Sequence, residues 1–287
     1  MQQINENPLA KHFRQPKIYL KLPSGGAFYP SASIDYLETN SYPVLPMTAK
    51  DELIMKTPDA LLNGQSTVNV IQSCIPNIKN AWDIPSIDVD AILVAIRLAT
   101  YGEMMDVSID VQFEEGKEER TFQLDLRTVI DDLTSNEYEN IISYNDFKFE
   151  IRPMTYRHFT ELALKTFEEQ RLFKVINDDS LTETKKLEKF NESFTRLTDL
   201  NINQLIKSVV AVQHQNEDAV TNQKHIQEFF ENADKDIYKA ILSHLDSQRL
   251  KFSIKPQTVK LSEEDIANGS PETINVPISF DQSNFFA

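Results

Sequence analysis

Between Pro153 and Pro256 the chain contains no proline, although it has thirteen in all. Proline removes a backbone donor and clashes with the preceding helical turn, so so long a stretch without one permits uninterrupted helices. Within it, residues 155–177, 182–214, 219–232 and 234–250 repeat apolar residues at three- and four-residue spacing, which predicts four helices. Asn177-Asp178-Asp179-Ser180 reads as the break between the first two. The flanking segments carry prolines and change character, which places a boundary near residue 153.

Ahead of that boundary the signals are mixed. Residues 1–16 are polar and read as a flexible arm. Lys17–Leu22 alternates as a short strand does, and Pro23-Ser24-Gly25-Gly26 breaks it. Residues 31–46 read as irregular or weakly extended. Thr48, followed by Asp51 and Glu52, is a helix start, with acids where the helix dipole favours them. Asp59–Leu62 and Ser66–Ile75 read as two further helices, the latter closed by Pro76. Residues 87–101 form the clearest helix of this half, apolar over a broad face, with Arg97 its only basic interruption and Gly102 a natural cap. Asp88 and Asp90 lie at its start and read as capping acids. Val107–Phe113 and Thr121–Leu124 alternate around a turn and predict a β-hairpin; a short helix, Leu126–Leu133, and a strand, Phe147–Ile151, follow. After Leu250 the pattern returns to extended, and 259–261 with 274–280 predict a second hairpin. The expected fold is α+β and predominantly helical. It comprises the arm (1–16), an α/β N-terminal region with a β-hairpin (17–153), a helical bundle (154–250), and a C-terminal hairpin with an aromatic tail (251–287).

The formal net charge is −15, and so acidic a surface repels phosphate backbones and anionic lipid; no nucleic-acid or membrane partner is expected. The chain has six glycines, few for phosphate-cradling loops. It has one cysteine, Cys74, in an apolar segment, which reads as a buried small hydrophobe and fits a reducing cytoplasm. Met1–Arg14 lacks the apolar stretch of a signal peptide. The five histidines form no His-Glu-x-x-His arrangement, and no P-loop, G-x-G-x-x-G or G-x-S-x-G is present. The acids at Glu114, Glu115, Glu118 and Glu119 sit on a hairpin tip and read as solvated. No catalytic residue, metal ligand or cofactor is assigned, and the chain is expected not to be an enzyme.

A series of segments carries a resemblance. It runs through Leu22-Pro23-Ser24-Gly25-Gly26-Ala27-Phe28-Tyr29-Pro30, Met47–Glu52, Thr57–Gly64, Ile71–Pro76 and Asp90–Arg97, and ends with the tail Phe280–Phe286. In order and spacing the series resembles the baseplate hub subunit and hub assembly family of T-even-type contractile-tailed bacteriophages. The resemblance implies a hub protein that takes part in baseplate assembly by protein–protein contacts, made in the host bacterial cytoplasm and carried in the tail baseplate. The alternative it leaves open is an assembly chaperone that binds tape-measure or hub proteins and then leaves. The implied partners are other baseplate hub or tape-measure proteins, with self-association left open. Relatives carry Cys-x-x-Cys pairs in the two hairpins, but residues 109–122 and 259–276 have no cysteine, so no zinc role carries over. Phe28 and Tyr29 near one end, and Phe280, Phe285 and Phe286 at the other, are expected partner-binding residues. Leaving such rings in water forgoes roughly 2–3 kcal/mol each. Docking of the tail on the chain's own core is the competing expectation.

Overall fold

The computed structural model describes residues 7–56, 64–114, 116–176, 182–278, 280 and 285–286. The expected helix at Asp59–Leu62 and the expected break at Asn177–Ser180 lie outside them. The described residues make an α+β fold with several small antiparallel sheets.

Strand β1 (Ile18–Lys21) pairs with β2 (Ser41–Val44), Leu20 facing Tyr42. Residues 41–44, within the stretch read from sequence as irregular or weakly extended, are a strand; Pro43 hides the alternation but sits in a two-stranded ribbon, where a missing donor is tolerated. The expected arm also ends early. The Arg14 guanidinium donates to Pro46 O (2.6 Å), Ser73 O (2.6 Å) and Ser73 Oγ (2.7 Å), and pairs with Asp51 at 3.2 Å. Helix α1 (Ala49–Met55) opens with a capping box, in which Thr48 Oγ1 accepts from Asp51 N and Thr48 N donates to Asp51 Oδ2. Helix α2 (Gln65–Cys74) and helix α3 (Ser86–Tyr101) follow. Twelve of the sixteen residues of α3 are buried, so it is the central element of the first core. That core gathers Leu20, Val44, Ile71, Ile75, Ile92, Ile96 and Leu126. Cys74 is buried there, and burial, helped by nearby Asp51, pushes its thiol up to about 12.

Strands β3 (Met104–Phe113) and β4 (Gly116–Asp125) form the expected hairpin, and α4 (Leu126–Thr134) starts on an Asp125 cap. Beyond it the bundle reading is corrected. Helices α5 (Tyr156–Ile176), α6 (Glu183–Ser208), α7 (Gln223–Asn232) and α8 (Lys235–Lys251) are present, but the second core is built on a sheet. Strands β5 (Ile141–Tyr144), β6 (Phe147–Ile151) and β7 (Val209–His214) pair in the order β5-β6-β7. The helix expected to reach residue 214 stops at Ser208. Val209, Val210 and Val212 are stiff at χ1, and pairing with β6 outweighs the helical period. Phe149, Ile151, Leu205, Val209, Ile226 and Ile241 fill this core, so β5 and β6, assigned from sequence to the N-terminal region, belong to the second half.

The two cores meet at the chain's passage into α5. Ser86 N donates to Met154 O and Tyr156 N to Ile84 O, both at 2.7 Å, and Trp82 stacks on Tyr156 at 5.8 Å. Strands β8 (Gln257–Lys260) and β9 (Thr273–Val276) form the second hairpin around a short helix, α9 (Glu263–Ala267). No described helix is long and apolar enough to cross a membrane.

Candidate functional site

Helix α3 is the element to which the Leu22–Pro30 loop and the aromatic residues Phe285 and Phe286 attach. Near its start, Asp88 is fully buried and accepts three hydrogen bonds. Ser24 donates its N–H (2.7 Å) and its hydroxyl (2.6 Å), and the Tyr29 hydroxyl donates at 2.9 Å. Burial raises the Asp88 carboxyl to about 6, while those bonds pull the other way. Burial, then the neighbouring Asp88, pushes the Tyr29 phenol well up. The latched loop turns through Gly25 (φ 65°) and Gly26 (φ 81°), and a Cβ on Gly26 would sit 3.3 Å from the Tyr42 hydroxyl. Phe28, without a glycine's freedom, also has φ 69°. A non-glycine residue held there is strained unless its surroundings fix it. Its half-buried ring meets Tyr138 edge-on at 5.4 Å, and Tyr138 in turn lies 6.2 Å from Phe252. The Tyr138 hydroxyl is buried with no hydrogen-bond partner.

Two residues further along, Asp90 Oδ2 accepts from Ile254 N at 3.3 Å and ties the segment leading to β8. Burial raises Asp90 to about 6 as well. At the far end of α3 the tail docks. Phe285 and Phe286 are buried in the first core, edge to face at 4.8 Å, with half-buried Phe280 packed on Phe285 at 4.8 Å. The Tyr101 hydroxyl donates to Phe286 O at 3.0 Å. The Arg97 guanidinium lies 5.1 Å from the Tyr101 ring centre and 5.8 Å from that of Phe285. Its Nε and Nη1 are buried without a hydrogen-bond partner among the described residues, and burial lowers its pKa.

Of the residues expected to bind a partner, Tyr29, Phe285 and Phe286 therefore face inward, and Phe28 and Phe280 are half-buried. The two clusters attach to α3 through opposite ends, Asp88 and Arg97, rather than forming one patch. The competing expectation for the tail describes the structure: it closes the chain's own core. Any part these five side chains play in recognition runs through the loop and tail they hold in place. Sequence reading missed Asp88 and Arg97 as anchors, taking one for a cap and the other for an interruption. The available signal was charge, Asp88, Asp90 and Arg97, inside a helix that is otherwise almost wholly apolar.

The two hairpins are joined by side-chain and backbone contacts. Val111, Phe113 and Leu261 form a small apolar cluster between them. Arg120 pairs with Asp265 at 3.2 Å and lies 4.9 Å from the Phe113 ring centre, and Glu114 N donates to Asn268 O. Among the described residues no group of three or more His, Cys, Asp or Glu is placed to hold an ion.

Comparison with curated proteins and with solved structures returns no match. The family model described as T4 bacteriophage base plate protein matches residues 15–264. That span takes in the latched loop, α3 and the first hairpin, and stops short of the aromatic tail. Over most of its length, then, this chain is a member of the T4 bacteriophage base plate protein family.

Proposed function

We propose that the chain is a subunit of the baseplate's central hub, acting in hub assembly through protein–protein contacts and not as an enzyme. The observation that carries this reading is the Asp88 latch. It holds the Leu22–Pro30 motif, the first segment of the series that carries the hub resemblance, in one strained conformation against the first core. Pre-organised loops on rigid scaffolds are how folds present recognition surfaces. A non-catalytic role is supported by how the most buried carboxyls are used: Asp88 and Asp51 spend their acceptors on internal ties. The partners are other hub proteins or the tape-measure protein. The protein is made in the host cytoplasm and enters the tail.

A second reading, a chaperone that binds the same partners and leaves, is favoured by the net charge of −15, which suits a soluble, transient binder. Mass spectrometry of purified virions against infected-cell lysate separates the two. Presence in both supports the subunit. Presence in lysate alone supports the chaperone and removes the first reading. Cell-wall clearing by the pure protein would overturn both.

A further inference from the structure

Helix α6 packs against α5 through Ser193 and Arg196, which both bond Glu169. On the adjoining face, Leu187 and Phe194 are 61% and 60% exposed, and Phe190 stacks on Phe194 at 6.3 Å. Leu187, Phe190, Phe194, Leu197 and Asn201 follow a three-four-three-four spacing, the seam of a helix that pairs with another helix. A polar Asn in such a seam fixes register. Along the outer rim of this face Thr184, Asn191, Thr195 and Thr198 are exposed and uncharged, and Glu188 is the one charge among them.

The charge distribution selects the occupant. Residues 156–208 carry nine Lys or Arg and nine Asp or Glu, so the whole net charge of −15 lies elsewhere on the chain. Two copies meeting through most other surfaces would repel, whereas through this face they meet neutral on neutral. We propose that the Leu187–Phe194 face of α6 is a self-association surface, pairing the α6 helices of two copies about a two-fold axis. Such an interface is isologous: Phe194 and Leu187 of one protomer pack among the same residues of its partner.

Sedimentation velocity on the full chain, at about 1–100 µM to span micromolar affinities, tests this. The wild type is expected to pass from monomer to dimer in that range. Dimerisation should tighten as salt is raised, because salt screens the repulsion between the acidic remainders. Phe194→Glu should weaken it at least about tenfold, as removal of a central aromatic anchor does. Leu187→Glu should do the same, which keeps the test valid if one variant folds poorly by circular dichroism. Tyr19→Glu, at a site 68% exposed in β1, should dimerise as the wild type does. A wild type that stays monomeric throughout, a folded Phe194→Glu or Leu187→Glu that dimerises normally, or a dimer that loosens with salt would each overturn the proposal.

Discussion

Replacing Phe285 with alanine tests whether the tail is part of the first core. The ring is fully buried, touches Phe280 and Phe286 edge-on, and lies under the Arg97 guanidinium. Truncating a core phenylalanine costs about 3–5 kcal/mol when the surroundings cannot relax. Here relaxation has a route, undocking of the segment that carries Phe285 and Phe286. Undocking caps the loss at the tail's own docking free energy. Two buried rings contribute about 2–3 kcal/mol each, about 4–6 kcal/mol together before the entropy of ordering the tail reduces it. We therefore expect Phe285→Ala to lose about 3 kcal/mol, toward the low end of the core range. The readout is the fluorescence of Trp82, the only tryptophan, which packs against the same core. With a urea slope of about 3 kcal/mol per molar, the midpoint should fall by about 1 M. A midpoint within about 0.3 M of wild type would show that the tail's burial contributes little, and the reasoning would fail.

Three further outcomes follow from the same geometry. Asp88 and Asp90 have folded pKa values near 6, above those of free carboxyls, so between about pH 4 and 6 the folded chain binds protons that the unfolded chain does not. Their stabilising contribution is complete below that window and is lost as pH rises through about 6. Moving from pH 7.5 to 5 should thus add about 1 kcal/mol per carboxyl in urea melts, and Asp88→Asn should halve the gain; an unchanged slope contradicts the assignment. Arg14→Ala leaves the nearly buried Asp51 without its cation and should lose about 3 kcal/mol, by the same melt; a loss below about 1 kcal/mol would make the clamp ornamental. Tyr138→Phe removes a buried hydroxyl with no partner and should raise stability by about 1 kcal/mol, so a clear fall in thermal midpoint would reveal a bond that the hydroxyl makes.

How much of this was legible in the sequence depends on whether the deciding force is local. The capping box at Thr48, the first hairpin and the span of α3 follow from side chains a few residues apart, and the structure has them close to where the pattern puts them. Strand β7 does not, because its conformation is decided by Phe149 and Ile151, far away in sequence. The same holds for Asp88. Nothing within one turn distinguishes a capping acid from one that grips a loop 64 residues earlier. The aromatic residues of the tail were visible, but their direction was not, since a hydrophobic end docks at home or abroad with the same composition. Leu187 and Phe194 were passed over because a helix with two apolar faces reads, residue by residue, like a helix with one broad face.

The junction of β6 with β7 gives helices α5 and α6 a freedom the rest of the chain lacks. The chain leaves the sheet after Ile151 and returns at Val209, its direct partner in the ladder. Everything between is an excursion whose two ends are already side by side, and the entropy of closing such a loop grows only slowly with its length. Matched pairs of helical turns could be added or removed at the distal end while the sheet kept its register. The fold thus contains an arm whose reach can be adjusted independently of its anchorage, like a spacer of variable length bolted to a fixed plate.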